Sequence, residues 1–202
     1  MKTLIITAVF PPEPVVSANL SKDLAEELSI ENEVTVLCPE PTRPDGFIMK
    51  NDFESNTYRV LRVDSFTSPS SRWIGRLRES YSFGKRCQKY IEVNHNNIDA
   101  IYANTWPLFA QYFTIRSAKK LKIPITIHVQ DIYPETLINK IPALKTLFSC
   151  ILLPIDKFVL NNATKIIAIS NNMKKYLIKT RKILEDKIFV VQNWQDENNF
   201  IK

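Results

Sequence analysis

Short β-branched runs alternate with longer helical patterns along almost the whole 202-residue chain, and this alternation constrains the fold more than any other feature. The runs with the length and composition of strands are 3–10, 33–38, 58–63, 99–103, 124–129, 165–170 and 187–192. Helices are predicted at 17–30, 72–94, 107–121, 141–163 and 171–183. Several of the runs are apolar on both faces, as in parallel strands that helices cover. The pattern therefore predicts a doubly wound α/β fold with a mainly parallel, seven-stranded sheet and right-handed crossovers.

Composition and charge narrow the class of protein. The chain is 45% hydrophobic and 24% charged, which is typical of a folded globular protein, and its net charge of +6 indicates an anionic partner. Its three cysteines, Cys38, Cys87 and Cys150, argue against a disulfide framework or a zinc site and favour a reducing cytoplasm. The N-terminus lacks the features of a signal peptide, and the apolar segment 147–155 is too short for a spanning helix. We therefore expect a cytoplasmic protein, soluble or peripheral on a membrane.

Candidate site residues are the polar residues that directly follow strands, because ligands of open α/β sheets bind beyond the carboxyl ends of the strands. The first such edge reads FPPEPVVSAN and carries no glycine, which excludes the G-x-G-x-x-G motif of NAD or FAD binding. Ser17 is predicted to be the N-cap of the next helix, whose N-terminus could attract an anion. A helix that is simply capped explains the same residues.

Three further edges extend the pattern: YANTWP, HVQDIYPE and ISNN. Taken in order with ATKIIAIS and VVQNWQD, they resemble the N-terminal half of retaining bacterial glycosyltransferases with the GT-B fold. These enzymes belong to glycosyltransferase family four, which includes many capsule and O-antigen sugar transferases. The resemblance covers essentially the whole chain. The segment PVVSAN departs from it, since family members usually carry small or glycine residues in the first loop.

The resemblance implies the fold, the activity and the partners of the chain. Residues 1–202 would form one Rossmann-like half of a GT-B fold, the acceptor-side domain, and a second domain absent from this chain would bind the nucleotide sugar. The complete enzyme would be a retaining transferase of the hexosyltransferase type, acting without a metal or other cofactor. It would transfer a sugar from a nucleotide sugar to a lipid-linked saccharide in surface polysaccharide biosynthesis. The isolated domain is expected to be inactive.

The resemblance also assigns roles to individual residues. His128 falls on a position where family members commonly place a histidine beside the transferred sugar, and Asp131 could orient or deprotonate an acceptor hydroxyl. We predict these two as catalytic residues; the alternatives are a histidine satisfied within the core and an aspartate that caps local backbone. Trp194 is expected at the junction with the second domain. The residues expected to line the acceptor site or the cleft are Pro12, Ser17, Asn19, Asn104, Trp106, Tyr133, Glu135, Ser170 and Asn193.

The predicted helix 72–94 is strongly basic. Between residues 72 and 89 only Glu79 opposes six basic residues, which are Arg72, Arg76, Arg78, Lys85, Arg86 and Lys89. One side of the helix is expected to carry Trp73, Ile74, Leu77, Tyr81, Gln88 and Ile91. The basic side predicts either a solvated surface or contact with an anionic membrane, where each Lys or Arg contributes about 1 kcal/mol. Contact with the inner membrane face would suit an acceptor carried on a polyprenyl diphosphate.

Two other functions remain open on the same fold. One is half of a GT-B epimerase, for which the nucleotide sugar is itself the substrate. The other is a non-catalytic α/β module that binds a phosphorylated ligand or a partner protein. Nucleic acid is not an expected partner, because the sequence lacks an aromatic-studded sheet or a recognition helix to accompany its charge.

Overall fold

The computed structural model describes residues 1–42, 53–68, 73–104, 108–140 and 145–194, with the side chains of 138–140 left out. Within these residues seven strands form one sheet, in the order β3-β2-β1-β4-β5-β6-β7, and every neighbouring pair is parallel. The strands are β1 Lys2–Ile6, β2 Glu33–Pro39, β3 Arg59–Val63, β4 Ala100–Asn104, β5 Ile125–Val129, β6 Lys165–Ala168 and β7 Ile188–Val190. The predicted doubly wound, seven-stranded α/β fold is confirmed.

The helices of the described residues connect these strands. They are α1 Val16–Ser29, α2 Trp73–Asn94, α3 Leu108–Leu121, α4 Glu135–Lys140, α5 Lys145–Asn162 and α6 Asn171–Arg181, with short 3₁₀ turns at His95–Asn97 and Glu185–Lys187. The six-residue helix α4 is absent from the predicted set. Strand β1 ends at Ile6 rather than residue 10, because the Thr7 hydroxyl donates to the Val9 carbonyl and folds the chain into a loop before the two prolines.

Side chains alternate between the two faces of the sheet along each strand, and the apolar core is divided accordingly into two clusters. The larger core contains Leu4, Ile101, Ile127 and Ile166 on one face of the sheet, together with apolar residues of α2, α3, α5 and α6. The smaller core lies on the opposite face, where Ile5 and Val36 pack against Ala25 of α1. Residues at the same register of neighbouring parallel strands point to the same face. Tyr102, Asn104 and His128 therefore share the face that α1 covers.

Helix α1 covers only part of that face. Toward β7 the same face presents Thr126, Lys165, Ile167 and Phe189, which we call the open face. Phe189 is 48% exposed, and the ammonium group of Lys165 lies 4.9 Å from the centroid of its ring. Lys165 is exposed as well, and Thr126 and Ile167 are half-buried.

Helices α2 and α3 pack closely, and this contact sets the orientation of α2. A Cβ atom on Gly84 would lie 2.7 Å from both Ala110 Cα and Phe113 Cδ2, so the two backbones approach at this glycine. One turn earlier, Ser80 Oγ accepts hydrogen bonds from the N–H groups of Phe109 (2.9 Å) and Ala110 (3.3 Å). A residue of α2 thereby caps the first turn of α3.

The predicted orientation of α2 was in part wrong. Ile74 and Tyr81 are 63% and 51% exposed, although both were expected on the apolar side. The buried residues are Glu79, Ser80, Phe83, Gly84, Cys87 and Ile91. Close approach to α3 requires small side chains, so the helix turns its Ser, Gly and Cys residues inward and leaves larger apolar ones outside.

Candidate active site

The carboxyl ends of β1, β4 and β5 form a buried polar cluster. Thr7 follows β1 directly, Asn104 is the last residue of β4, and His128 of β5 is its register partner. Asn104 is 8% exposed and His128 1% exposed. The predicted site residues Asn104 and His128 are therefore adjacent, and they lie at the edge of the sheet where α/β folds bind ligands.

Asn104 is fixed by its amide nitrogen. Nδ2 donates to Thr7 Oγ1 at 3.1 Å and to Ser21 Oγ at 2.9 Å, and Gln111 Nε2 donates to the Asn104 backbone carbonyl. The Oδ1 atom is buried and accepts no hydrogen bond from the described residues. A buried acceptor without a partner destabilises a fold by about 1–3 kcal/mol, so this atom marks a place where a ligand or water molecule can donate.

His128 has one nitrogen paired and one unpaired. Nδ1 lies 2.5 Å from Tyr102 Oη, and the two rings meet edge to face with centroids 6.0 Å apart. Nε2 is buried, and the described residues offer it no partner. Burial lowers the pKa of His128 to about 4 and raises the pKa of Tyr102. Both groups are therefore neutral at pH 7.

The loop after β5 separates the two predicted carboxylates. Asp131 is exposed, and its backbone carbonyl accepts a hydrogen bond from the Tyr133 N–H at 3.1 Å. Glu135 instead begins α4 and binds Arg181, with Oε1 2.6 Å from Nη1 and Oε2 2.6 Å from Nη2. Tyr176 also donates to Glu135, at 2.9 Å. Of the two carboxylates, Asp131 is the one free to face a ligand.

Arg181 is a buried neighbour of the site that sequence reasoning missed. Arg181 is 2% exposed, and besides Glu135 its guanidinium donates to Asp156 Oδ2 at 2.7 Å and to the Tyr133 carbonyl at 3.4 Å. Burial opposes ionisation of Glu135, but the hydrogen bonds and charge of Arg181 outweigh it and lower the pKa of Glu135. Arg181 thus ties α4, α5 and α6 to the loop that carries Asp131. In sequence it is one more basic residue in the last turn of a helix, which gives no signal of burial.

The profile of Glycosyltransferase Family 4 matches residues 17–198. The chain belongs to Glycosyltransferase Family 4. Among curated protein sequences there is no match.

Solved structures share the fold of this family member. Alr3699/HepE of Anabaena, in complex with UDP and glucose, has a TM-score of 0.60 at 20% identity over 98% of this chain and 46% of its own. UDP-N-acetylglucosamine 2-epimerase of Rickettsia bellii has a TM-score of 0.58 at 12% identity, over 96% of this chain and 45% of its own. Sucrose-phosphate synthase of Thermosynechococcus elongatus has a TM-score of 0.63 at 12% identity, and the match covers 98% of this chain and 92% of that structure's chain. The chain spans about half the length of the first two and has the fold of one half of a GT-B protein.

The first loop of this family member is held without glycine. Glu13 is 4% exposed, and its carboxylate accepts hydrogen bonds from the Phe10 and Thr42 N–H groups at 3.3 and 2.9 Å. Arg62 of β3 donates to the Pro11 carbonyl at 2.7 Å. A buried carboxylate and an arginine therefore fix the loop that leads into α1. Neither residue was among the predicted site residues.

Of the remaining predicted residues, Ser17 reaches the cluster through its backbone carbonyl, which accepts a hydrogen bond from Ser21 Oγ at 2.9 Å. The prediction that Ser17 caps α1 was wrong, because Val15 is the last residue with extended dihedral angles and occupies the N-cap without a side-chain bond. Ser170 is the N-cap of α6 and accepts from the Met173 N–H at 3.1 Å. Trp194 donates to Asp23 of α1 at 3.2 Å. Pro12 is half-buried, and the exposed residues are Asn19 and Asn193, whereas Trp106 lies outside the described residues.

The basic surface of α2 is largely free of the core. Lys85, Arg86 and Lys89 are exposed, as is Arg78, whose guanidinium lies 4.1 Å from the centroid of the Phe66 ring. Arg76 is half-buried and pairs with Glu79 at 3.0 Å. Arg72 lies outside the described residues.

Proposed function

We propose that this chain is the acceptor-side half of an enzyme that transfers a sugar from a nucleotide sugar to a saccharide acceptor. The observation that carries the proposal is the buried polar edge of Asn104 and His128, where an amide oxygen and an imidazole nitrogen have no partner among the residues that the structure describes. Amide and imidazole groups accept from and donate to hydroxyl groups, which are the groups that a sugar presents. Family membership supports the same activity.

The roles of the site residues follow from their environments. His128 is neutral, so it binds the transferred sugar through a hydrogen bond rather than through charge. Asp131, exposed on the loop after β5, orients or deprotonates the acceptor hydroxyl when the acceptor lies within hydrogen-bond reach. The charge that develops on the leaving diphosphate is met by protein donors rather than a metal ion.

The nucleotide sugar is held mainly by a second domain outside this chain. Alr3699/HepE, which shares the fold, was solved with UDP and glucose bound, and this supports a nucleotide sugar as the donor. We extend the proposal to transfer with retention of configuration and to a surface polysaccharide of the capsule or O-antigen type, on the resemblance of the strand-end motifs.

The acceptor in this proposal is lipid-linked, and α2 contacts the membrane that carries it. Four exposed basic side chains on this helix lie beside the exposed Ile74 and Tyr81, a combination that suits an anionic lipid surface. None of the described helices has the length and hydropathy needed to cross a membrane.

The decisive experiment uses the complete protein with nucleotide sugars and a lipid-linked saccharide. Transfer to the acceptor, lowered at least about 100-fold in kcat/KM by Asn104→Ala and by His128→Ala, is the expected result. Asn96→Ala, in the exposed turn that precedes β4 at the opposite edge of the sheet, is the control and should retain activity. Epimerisation of the nucleotide sugar without an acceptor would replace the proposal with the epimerase function. Absence of any turnover would favour a binding module.

A further inference from the structure

Tyr102 opens the motif YANTWP and is not among the predicted site residues, yet it makes the closest polar contact of His128. It lies on β4 two residues before Asn104, on the same face of the sheet as His128. The distance of 2.5 Å between Tyr102 Oη and His128 Nδ1 is that of a strong hydrogen bond. This contact determines which nitrogen of the imidazole carries the proton.

The two possible tautomers leave different numbers of buried groups unpaired. With the proton on Nε2, the Tyr102 hydroxyl donates to Nδ1, and one group, the Nε2–H donor, lacks a partner among the described residues. With the proton on Nδ1, the imidazole donates to the Tyr102 oxygen. The phenol hydrogen then has no acceptor in the described residues, and Nε2 becomes an unpaired acceptor. Each unpaired buried group is unfavourable, so the first arrangement is preferred.

We propose that Tyr102 is a positioning residue that holds His128 as the neutral Nε2–H tautomer. His128 then offers a ligand a hydrogen-bond donor and no lone pair, so it does not act as a general base. What this tautomer means for a sugar substrate rests on the proposed function. The tautomer itself is a property of the chain and can be measured without a substrate.

The fixed tautomer also defines the kind of ligand group that fits the polar edge. His128 and Asn104, which carry the Nε2–H donor and the Oδ1 acceptor, lie at the same register of adjacent strands. The backbones of such strands are about 4.8 Å apart. A hydroxyl group can accept from the first and donate to the second. A phosphate or carboxylate oxygen can only accept, and it would leave Oδ1 of Asn104 unpaired. The pair therefore favours a hydroxyl over an anionic oxygen.

Nitrogen-15 NMR of the imidazole rings tests the proposal directly. The chain has two histidines, and His95→Gln removes the second set of signals and assigns those of His128. From about pH 5 to about pH 8 we expect a single neutral form with the proton on Nε2. Tyr102→Phe should lower the ratio of the Nε2–H to the Nδ1–H tautomer about tenfold. Tyr112→Phe, which removes a half-buried hydroxyl on α3, is the matched control and should leave the ratio unchanged.

Each outcome of this experiment decides one question. A wild-type His128 found mainly as the Nδ1–H tautomer or as imidazolium at pH 6 overturns the proposal, and so does a ratio that Tyr102→Phe leaves unchanged. The wild-type spectrum decides the tautomer even where a variant does not fold. A complete protein without transferase activity would overturn the proposed function and leave the tautomer assignment intact.

Discussion

His128 is a buried histidine on a strand, and such residues usually have both nitrogens satisfied by the core. Here one nitrogen binds Tyr102, and the other has no partner within the described residues. The same is true of Asn104, whose amide nitrogen makes two hydrogen bonds while its oxygen makes none there. Two adjacent residues that each leave one polar atom unpaired point to a ligand rather than to packing.

The lowered pKa of His128 predicts a pH dependence of stability. The pKa is about 4 in the folded state and about 6.5 in the unfolded state, so the unfolded chain binds the proton more readily and stability is lost as pH falls between these values. Across that window, wild type should lose on the order of 3 kcal/mol more unfolding free energy than His128→Gln. Urea denaturation at several pH values measures the difference, and parallel pH profiles for the two proteins would contradict it.

Packing between helices, rather than the apolar pattern of any one helix, decides the orientation of the elements. Helix α2 turns Ser80 and Gly84 toward α3 because only small side chains allow the two backbones to approach, and it leaves Ile74 exposed. A helical wheel drawn from the sequence of α2 cannot include this condition, because it depends on the partner helix.

Gly84→Ala should therefore destabilise the fold although alanine favours helices. The new Cβ would lie 2.7 Å from the backbone of Ala110, and the resulting overpacking is expected to cost about 1–3 kcal/mol. Lys89→Ala, on the exposed surface of the same helix, is the control, because it introduces alanine at a position that the core does not cover. Thermal unfolding of both variants tests the contrast, and equal melting temperatures would refute it.

Arg181 is expected to be the most sensitive residue at the junction of α4, α5 and α6. Arg181→Met leaves the carboxylates of Glu135 and Asp156 without their cation, which should destabilise the fold by about 3–5 kcal/mol. Lys179→Met removes an exposed charge from the same last turn of α6 and should change stability by less than about 0.5 kcal/mol. Chemical denaturation compares the two, and similar losses would show that the Arg181 network is not stabilising.

The elements that sequence predicted well are those whose pattern is local. Strands β2 to β5 and helix α3 were placed within one residue of their observed bounds, because apolar runs and turn residues specify them. Helix α4 was missed because six residues contain less than two full turns of periodic pattern. The contact between Tyr102 and His128 could not be predicted, since it depends on the pairing of strands whose residues lie 26 positions apart. The burial of Arg181 could not be predicted for the same reason, because its partners come from two other helices.

At the scale of the whole molecule, the charge of α2 predicts binding to anionic vesicles. The triple variant with Lys85, Arg86 and Lys89 changed to Gln should bind about 100-fold more weakly, at about 1 kcal/mol for each charge. The charge-matched control changes the exposed Lys120, Lys122 and Lys175 to Gln and should bind as wild type does. Co-sedimentation with anionic and neutral vesicles measures both variants. Equal binding of the two vesicle types by wild type would eliminate the membrane contact.

The open face of the sheet has a practical consequence for handling the chain. Phe189 and Ile167 sit on an outer part of a sheet whose last strand, β7, has one neighbour in the described structure. Exposed apolar side chains beside an unpaired strand edge favour association between copies, so the chain produced alone is expected to self-associate as its concentration rises. Changing Phe189 to a charged residue would raise the solubility of the chain, and it would do so on the far side of the sheet from α2 and α3, with their close contact left intact.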